Sequence, residues 1–329
     1  MLVTGGAGYI GSHAAGALAE AGHGVVVYDN LSAGHREAVG AAPFVEGDIR
    51  DTAALRAALR AHQVGAVLHF AAWLSVGDSV ADPAGYYDNN VTGALSVLRA
   101  MASESVPALV FSSTCAVYGE PETTPIAEDH PTRPVNAYGE TKLAIERALP
   151  HFRRAYGLRA TSLRYFNAAG ADPTGRLGED HDPEYHLIPR AIDAALGGPP
   201  LQVFGEDYPT DDGTCLRDYV HVSDLADAHV LALEALLDGA PGSVYNLGNG
   251  RPVSVRDVLS AVERVTGRVV PCERAARRAG DPAILFAASD RVRADLGWVP
   301  RLQALDRIVD TAWRWRDSHP DGYRTPIAT

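Results

Sequence analysis

Tyr138 and Lys142 bound the segment Tyr138-Gly139-Glu140-Thr141-Lys142. Four-residue spacing on a helix puts both side chains on one face, one turn apart. A phenol with a reference pKa of about 10 is a poor base at neutral pH, but a neighbouring cation favours its phenolate and draws that pKa toward a working range. Lys142 is the only lysine of the chain; the other 28 of its 29 basic residues are arginine. A compact ammonium can reach a phenol and a ribose together, which arginine's planar fork does not match. Position 142 therefore asks for more than charge. Thr114 lies just past the apolar run 108–112, at the carboxyl end of a predicted strand, where open parallel sheets bind ligands. Its hydroxyl can meet a sugar oxygen beside Tyr138, although Ser112 and Ser113 offer similar chemistry.

The elements that must carry these groups alternate along the chain. Strands are predicted at 2–4, 24–28, 43–45, 66–70, 108–112 and 161–165, with helices at 12–21, 51–62, 82–103 and 137–156. Apolar strands alternating with helices predict an α/β fold, a doubly wound, Rossmann-like parallel sheet buried on both faces. Gly5, Gly8 and Gly11 follow the first strand and open the first helix, where free N–H groups and the helix dipole favour a pyrophosphate. Asp29 closes the second strand and can accept hydrogen bonds from ribose hydroxyls while repelling a 2′-phosphate, so NAD is expected rather than NADP. Asp48 and Ile49, after the third strand, are placed to meet the adenine. The positive nicotinamide ring would join Lys142 in favouring the Tyr138 phenolate.

The chain has 329 residues, 46% of them hydrophobic and 21% charged, which excludes disorder and coiled coil. Its net charge of −12 argues against nucleic-acid and anionic-membrane partners, and an anionic ligand would need a local basic pocket. No apolar stretch approaches a membrane span and no signal-peptide pattern opens the sequence, so a cytoplasmic location is expected. Cys115, Cys215 and Cys272 are odd in number and far apart, supporting neither a disulfide framework nor a zinc site.

After Asn167 the texture changes to Gly, Pro and acidic residues. The expected division is an NAD-binding domain, 1–167 plus about 213–248, and a nucleotide-sugar domain, about 168–212 plus 249–329. A strand near 218–222 and a helix at 223–237 are expected to return to the main sheet. Trp313-Arg314-Trp315-Arg316 is read as packing in a terminal helix.

These residues, with Phe70-Ala71-Ala72, Tyr86 to Asn90, Tyr165-Phe166-Asn167 and Arg217 to Val222, resemble the extended short-chain dehydrogenase/reductase superfamily. Within it the chain is similar along essentially its whole length to the UDP-glucose 4-epimerase family. The resemblance implies that Tyr138 is the catalytic base and acid, that Thr114 and Tyr138 contact the sugar O4, and that Lys142 holds the nicotinamide ribose. It implies NAD contacts from Tyr9, Ile10, Asp29, Asn30, Asp48, Ile49, Phe70, Asn89 and Phe166, with Ala71 and Ala72 beside them. For the UDP-sugar it points to Asn167, Leu187, Val203, Phe204, Arg217, Tyr219, Arg278 and Asp281; guanidinium groups at 217 and 278 would hold the two phosphates.

The implied reaction is reversible epimerisation at C4 of UDP-glucose and UDP-galactose through a 4-ketose, on tightly bound NAD, in galactose metabolism. UDP-GlcNAc, UDP-glucuronate or a UDP-pentose are alternative substrates, and a catalytically inactive NAD-sensing protein is a remoter reading. Leu74 stands where several relatives carry lysine, and Leu285 at the position that gates the sugar's C2 substituent. Sister dehydratases carry an acidic pair after the Ser/Thr; here Cys115-Ala116 follow. His181, Glu184 and His186 read as part of a substrate loop rather than a metal site, since the chemistry needs no metal. Helices 82–103 and 137–156 are expected to pair with their mates in a homodimer with a four-helix interface.

Overall fold

The computed structural model describes residues 1–278 and 281–324. Its first half is β1 (Leu2–Thr4), α1 (Tyr9–Glu20), β2 (Val26–Asp29), β3 (Phe44–Glu46), α2 (Thr52–Ala61), β4 (Ala66–His69), α3 (Val76–Ala81), α4 (Pro83–Tyr86), α5 (Gly93–Ser103), β5 (Ala108–Thr114), α6 (Ala137–Tyr156) and β6 (Arg159–Tyr165). There follow β7 (Asn167–Ala169), α7 (Leu187–Ala195), β8 (Leu201–Phe204), β9 (Leu216–His221), α8 (Val222–Leu237) and β10 (Val244–Leu247). The chain ends with β11 (Pro252–Ser254), α9 (Val255–Thr266), β12 (Cys272–Ala275), β13 (Ile284–Leu285), α10 (Asp290–Leu296) and α11 (Leu305–Ser318).

Seven parallel strands form the main sheet in the order β10-β6-β5-β4-β1-β2-β3. The strand order reverses between β1 and β4, and a crevice opens there at their carboxyl ends. Strand side chains are buried on both faces, as a parallel sheet requires. On one face Leu18 of α1 and Leu225, Leu233 and Leu236 of α8 pack on Val3, Leu68 and Val110. On the other, Leu55, Leu98, Met101, Ile145 and Leu149 of α2, α5 and α6 pack on Leu2, Val67 and Leu109. The smaller region has its own core, where Ile188 and Ile192 of α7 meet Val258 and Val262 of α9 and Ile308 of α11.

Two sequence expectations need correction. The strand near residue 218, β9, does not join the main sheet; it pairs with β7, β11 and β13 in the smaller region, and α8 and β10 make the return. The single helix expected over 82–103 is broken: α3 and α4 lead into a π-helical turn over Tyr87–Thr92 before α5. The wider turn brings Asn89 to the crevice and buries Asn90, whose side chain accepts from Trp73 N–H (2.8 Å) and donates to Thr141 Oγ1 (3.2 Å) of α6. Trp315 is 2% exposed and stacks on His319, so the terminal aromatics pack as expected. Residues 325–329, the end of the expected second domain, lie outside the described residues.

Candidate active site

A cavity of about 1040 Å³ opens at the carboxyl ends of β1, β4, β5 and β6 and runs under the smaller region. That volume exceeds what one drug-sized ligand needs and suits two long ones end to end. Of the residues singled out for cofactor, substrate and catalysis, only Asp48 stays off its wall. Its carboxylate is taken by Arg50, with Nη2–Oδ2 at 2.6 Å. Gly47 and Ile49 line the wall instead.

The dinucleotide end is built from backbone. Gly5 turns at φ +72°, and a Cβ there would sit 2.4 Å from Ala71 N. At Gly11 a Cβ would meet Gly5 O at 2.1 Å. Only glycine lets the turn after β1 close against the start of α1, whose first-turn N–H groups have no partner within the helix. Asp29 is nearly buried; it accepts from Ala7 N–H (3.0 Å) and Leu31 N–H (2.8 Å), and lines the cavity. Burial raises its pKa and these amides oppose the rise. Backbone donors at a helix start and a carboxylate at the end of β2 fit a pyrophosphate and a ribose diol, the two polar parts of NAD's adenosine half.

Asn136 caps α6 by accepting from Gly139 N–H (2.8 Å), which starts the helix one residue before Tyr138. Lys142 is 3% exposed, donates to the Ser112 carbonyl at 2.8 Å, and holds Nζ 5.2 Å from the centre of the Phe111 ring. Burial draws its pKa down to about 7. Burial pushes the Tyr138 phenol well above its ordinary 10, opposed by the Thr114 hydroxyl hydrogen-bonded to it. The expected lowering of Tyr138 is thus not supplied by the chain's own groups. Desolvation dominates, and only the Thr114 hydroxyl opposes it; the Lys142 Nζ lies 5.9 Å from the ring centre. Thr114 Oγ1 accepts from Ala116 N–H (3.2 Å), which aims its own hydrogen away from that amide.

Beneath this group lies a network that sequence reasoning missed. Glu146, one turn beyond Lys142 on α6, accepts from Ser113 Oγ (2.5 Å) and from Arg164 Nη2 (2.5 Å) of β6. Arg164 also donates to the Tyr118 hydroxyl (2.9 Å), which donates to Asn246 Oδ1 (2.7 Å). The repeat Tyr138, Lys142, Glu146 at four-residue spacing was the available signal.

At the far end, Arg217 of β9 pairs with the Asp281 carboxylate and donates to the Leu216 carbonyl at 2.8 Å. Arg278 lies over the Phe204 ring, 4.0 Å from its centre. Two guanidinium groups therefore face the cavity, one partly neutralised by Asp281. Leu74 and Leu285 both line the wall.

Between these ends, Glu179, His181 and His186 line the cavity, with Glu184 behind them. Burial alone would lower both imidazoles, but contact with the two carboxylates outweighs it, raising His181 to about 9 and His186 to about 10.

Residues 1–248 match the NAD dependent epimerase/dehydratase family. The chain is 52% identical to a UDP-glucose 4-epimerase of Halalkalibacterium halodurans over 327 residues, covering 99% of this chain and 98% of the relative. A UDP-glucose 4-epimerase from Brucella ovis in complex with NAD superposes with a TM-score of 0.93 at 51% identity, over 95% of this chain and 97% of that one. One from Stenotrophomonas maltophila, with bound NAD and formylated UDP-arabinopyranose, gives 0.94 at 42% identity, over 97% and 98%. The chain belongs to the NAD dependent epimerase/dehydratase family and, within it, to the UDP-glucose 4-epimerases.

Proposed function

We infer that the protein interconverts UDP-glucose and UDP-galactose by inverting C4 of the hexose, using NAD. The observation that carries the reading is Tyr138, Thr114 and Lys142 meeting in one cavity between a glycine-built dinucleotide cradle and two arginines. NAD supplies the hydride acceptor and donor for C4, and its positive ring favours the phenolate that burial in the chain alone disfavours.

The chain's own groups do the rest. Tyr138 takes the proton of the 4-hydroxyl and later returns one to O4. Thr114 holds O4 beside the phenol, and Lys142 holds the nicotinamide ribose. Gly5, Gly8, Tyr9, Ile10 and Gly11 hold the pyrophosphate; Asp29, Asn30, Ile49, Phe70, Ala71, Ala72, Asn89 and Phe166 wall in the rest of the dinucleotide. Arg217 and Arg278 bind the UDP phosphates, with Asn167, Leu187, Val203, Phe204, Tyr219 and Asp281 around the nucleotide. Gripped by its phosphates, the 4-ketose swings to present its other face before the hydride returns.

The protein further pairs as a homodimer through the helices around α5 and α6, a reading supported by exposed Tyr87 and Tyr156 on those segments. Its three unpaired cysteines favour the cytoplasm. Among the described residues no helix is long and apolar enough to cross a membrane. Incubating purified protein with UDP-glucose and no added cofactor tests the function: UDP-galactose should accumulate to equilibrium, and an unchanged substrate pool overturns the reading.

A further inference from the structure

Four donor groups converge in the loop between β7 and α7. One ligand atom each from Glu179, His181, Glu184 and His186 lies within 4.8 Å of all the others. His186 Nδ1 is 2.6 Å from Glu179 Oε1 and 3.2 Å from Glu184 Oε1. His181 Nδ1 is 3.2 Å from Glu179 Oε1 and 3.6 Å from Glu184 Oε2. Ligands bound at roughly 2.0–2.2 Å around a tetrahedral ion stand roughly 3.3–3.6 Å apart. Three of the four separations lie below that range and the fourth, 3.6 Å, at its upper limit, so the side chains must part by a few tenths of an ångström, and Glu179 from His186 by somewhat more, to admit an ion.

The cluster is more than a set of ion pairs. The Glu179 side chain is 5% exposed, yet neither its Oε1 nor His181 Nδ1 meets a partner with hydrogen-bond geometry among the described residues. These atoms touch without pointing at one another, as donors aimed at a common point do, and buried polar atoms in that condition call for a ligand. Glu184 is fixed by its Oε1, which accepts the Tyr185 and His186 backbone N–H groups, each at 2.7 Å, and is hydrogen-bonded with His186 Nδ1 at 3.2 Å, leaving Oε2 facing His181 Nδ1 at 3.6 Å. Two imidazole nitrogens with two carboxylate oxygens suit a first-row transition ion, whereas magnesium and calcium prefer all-oxygen sets.

We propose that Glu179, His181, Glu184 and His186 form a closed, four-coordinate site for a divalent transition ion of the zinc class. Four protein ligands leave no open position for substrate, so the role is structural. The ion ties the loop to His186 at the start of α7. It also reaches the dinucleotide helix: the Tyr9 ring stands edge-on to His181 at 6.2 Å, and its hydroxyl donates to Gly170 O at 2.6 Å, at the loop's other end. The loop that walls the cavity is thereby braced against the cofactor cradle. Epimerisation itself needs no such ion.

The test is elemental analysis of the untagged, NAD-containing protein after dialysis, then Zn²⁺ titration of chelator-treated protein followed by melting temperature. About one equivalent of metal per chain is expected, with a melting temperature that climbs as Zn²⁺ is added. Glu179→Gln and His181→Ala should each retain less than about a tenth of that metal and show no climb. Wild-type protein that holds less than about a tenth of an equivalent and gains no stability from Zn²⁺, Mn²⁺ or Co²⁺ would show an ion-pair cluster only and overturn the proposal. So would full metal retention by both variants. The wild-type measurement decides even if one variant fails to fold.

Discussion

Lys142 holds its ammonium 5.9 Å from the centre of the Tyr138 ring, one turn further along α6, and burial drives their pKa values apart. The phenol goes up and the amine comes down to about 7. Both are thus set to be neutral in the chain by itself above neutrality. The site is primed for an added positive charge, and NAD in its oxidised form is the species that brings one.

Lys142 gives a pH-dependent stability. Below about pH 7 its buried ammonium weighs fully against the fold. Above that value the folded chain sheds the proton while the unfolded chain, at 10.5, keeps it, so stability rises with pH up to about 10.5. At about 1.4 kcal/mol per pKa unit the gain amounts to several kcal/mol. Chemical denaturation of NAD-free wild type and Lys142→Met across this window should show wild type gaining on the variant. Parallel curves would refute it. Lys142→Arg keeps the charge but not the compact ammonium, and turnover should fall at least about tenfold.

Glu146→Ala should be among the most destabilising single changes. Glu146 and Arg164 have side chains 5% and 7% exposed, and removing one partner strands the other's charge. A loss of about 3–5 kcal/mol is expected from denaturation midpoints, the size found for broken buried pairs.

Much of the site could be read from the chain because its signals are local. Gly5, Gly8, Gly11 and Asp29 declare a cradle by spacing and by the strands beside them, and Tyr138 and Lys142 share a helix face whatever surrounds it. What was hidden depends on distant partners. Nothing near Arg164 announces Glu146, and nothing near residue 218 shows that β9 pairs with β7, β11 and β13 rather than with the main sheet. The ion pair of Asp48 with Arg50, which sets that carboxylate off the cavity wall, was equally hidden. The pKa of Tyr138 followed the same rule: its charged neighbour was legible four residues away, whereas its burial is a property of the whole fold.

Asp29→Ala should loosen the adenine ribose. NAD affinity is expected to fall about tenfold or more, and discrimination against NADP to shrink, since the carboxylate that repels a 2′-phosphate is gone. Cofactor rebinding to NAD-free protein, followed by fluorescence, reads both. Unchanged preference would contradict the placement.

Leu285 lines the cavity from β13. Leu285→Ala removes bulk there, so the rate ratio of UDP-GlcNAc to UDP-glucose should rise several-fold, a gain on the scale of 1–3 kcal/mol that a hydrophobic pocket assigns to a few methylene groups. Competition assays with both sugars measure it. An unaltered ratio would remove Leu285 from the sugar pocket.

The most direct measurement is a spectroscopic titration of the Tyr138 phenol in NAD-loaded protein, taken as the difference between wild type and Tyr138→Phe. Phenolate should form near neutral pH with the oxidised cofactor bound, and the variant should keep its NAD while losing turnover by at least about a hundredfold. A phenol that ionises at or above the value of free tyrosine with NAD in place, or a variant that epimerises at the wild-type rate, would contradict the account.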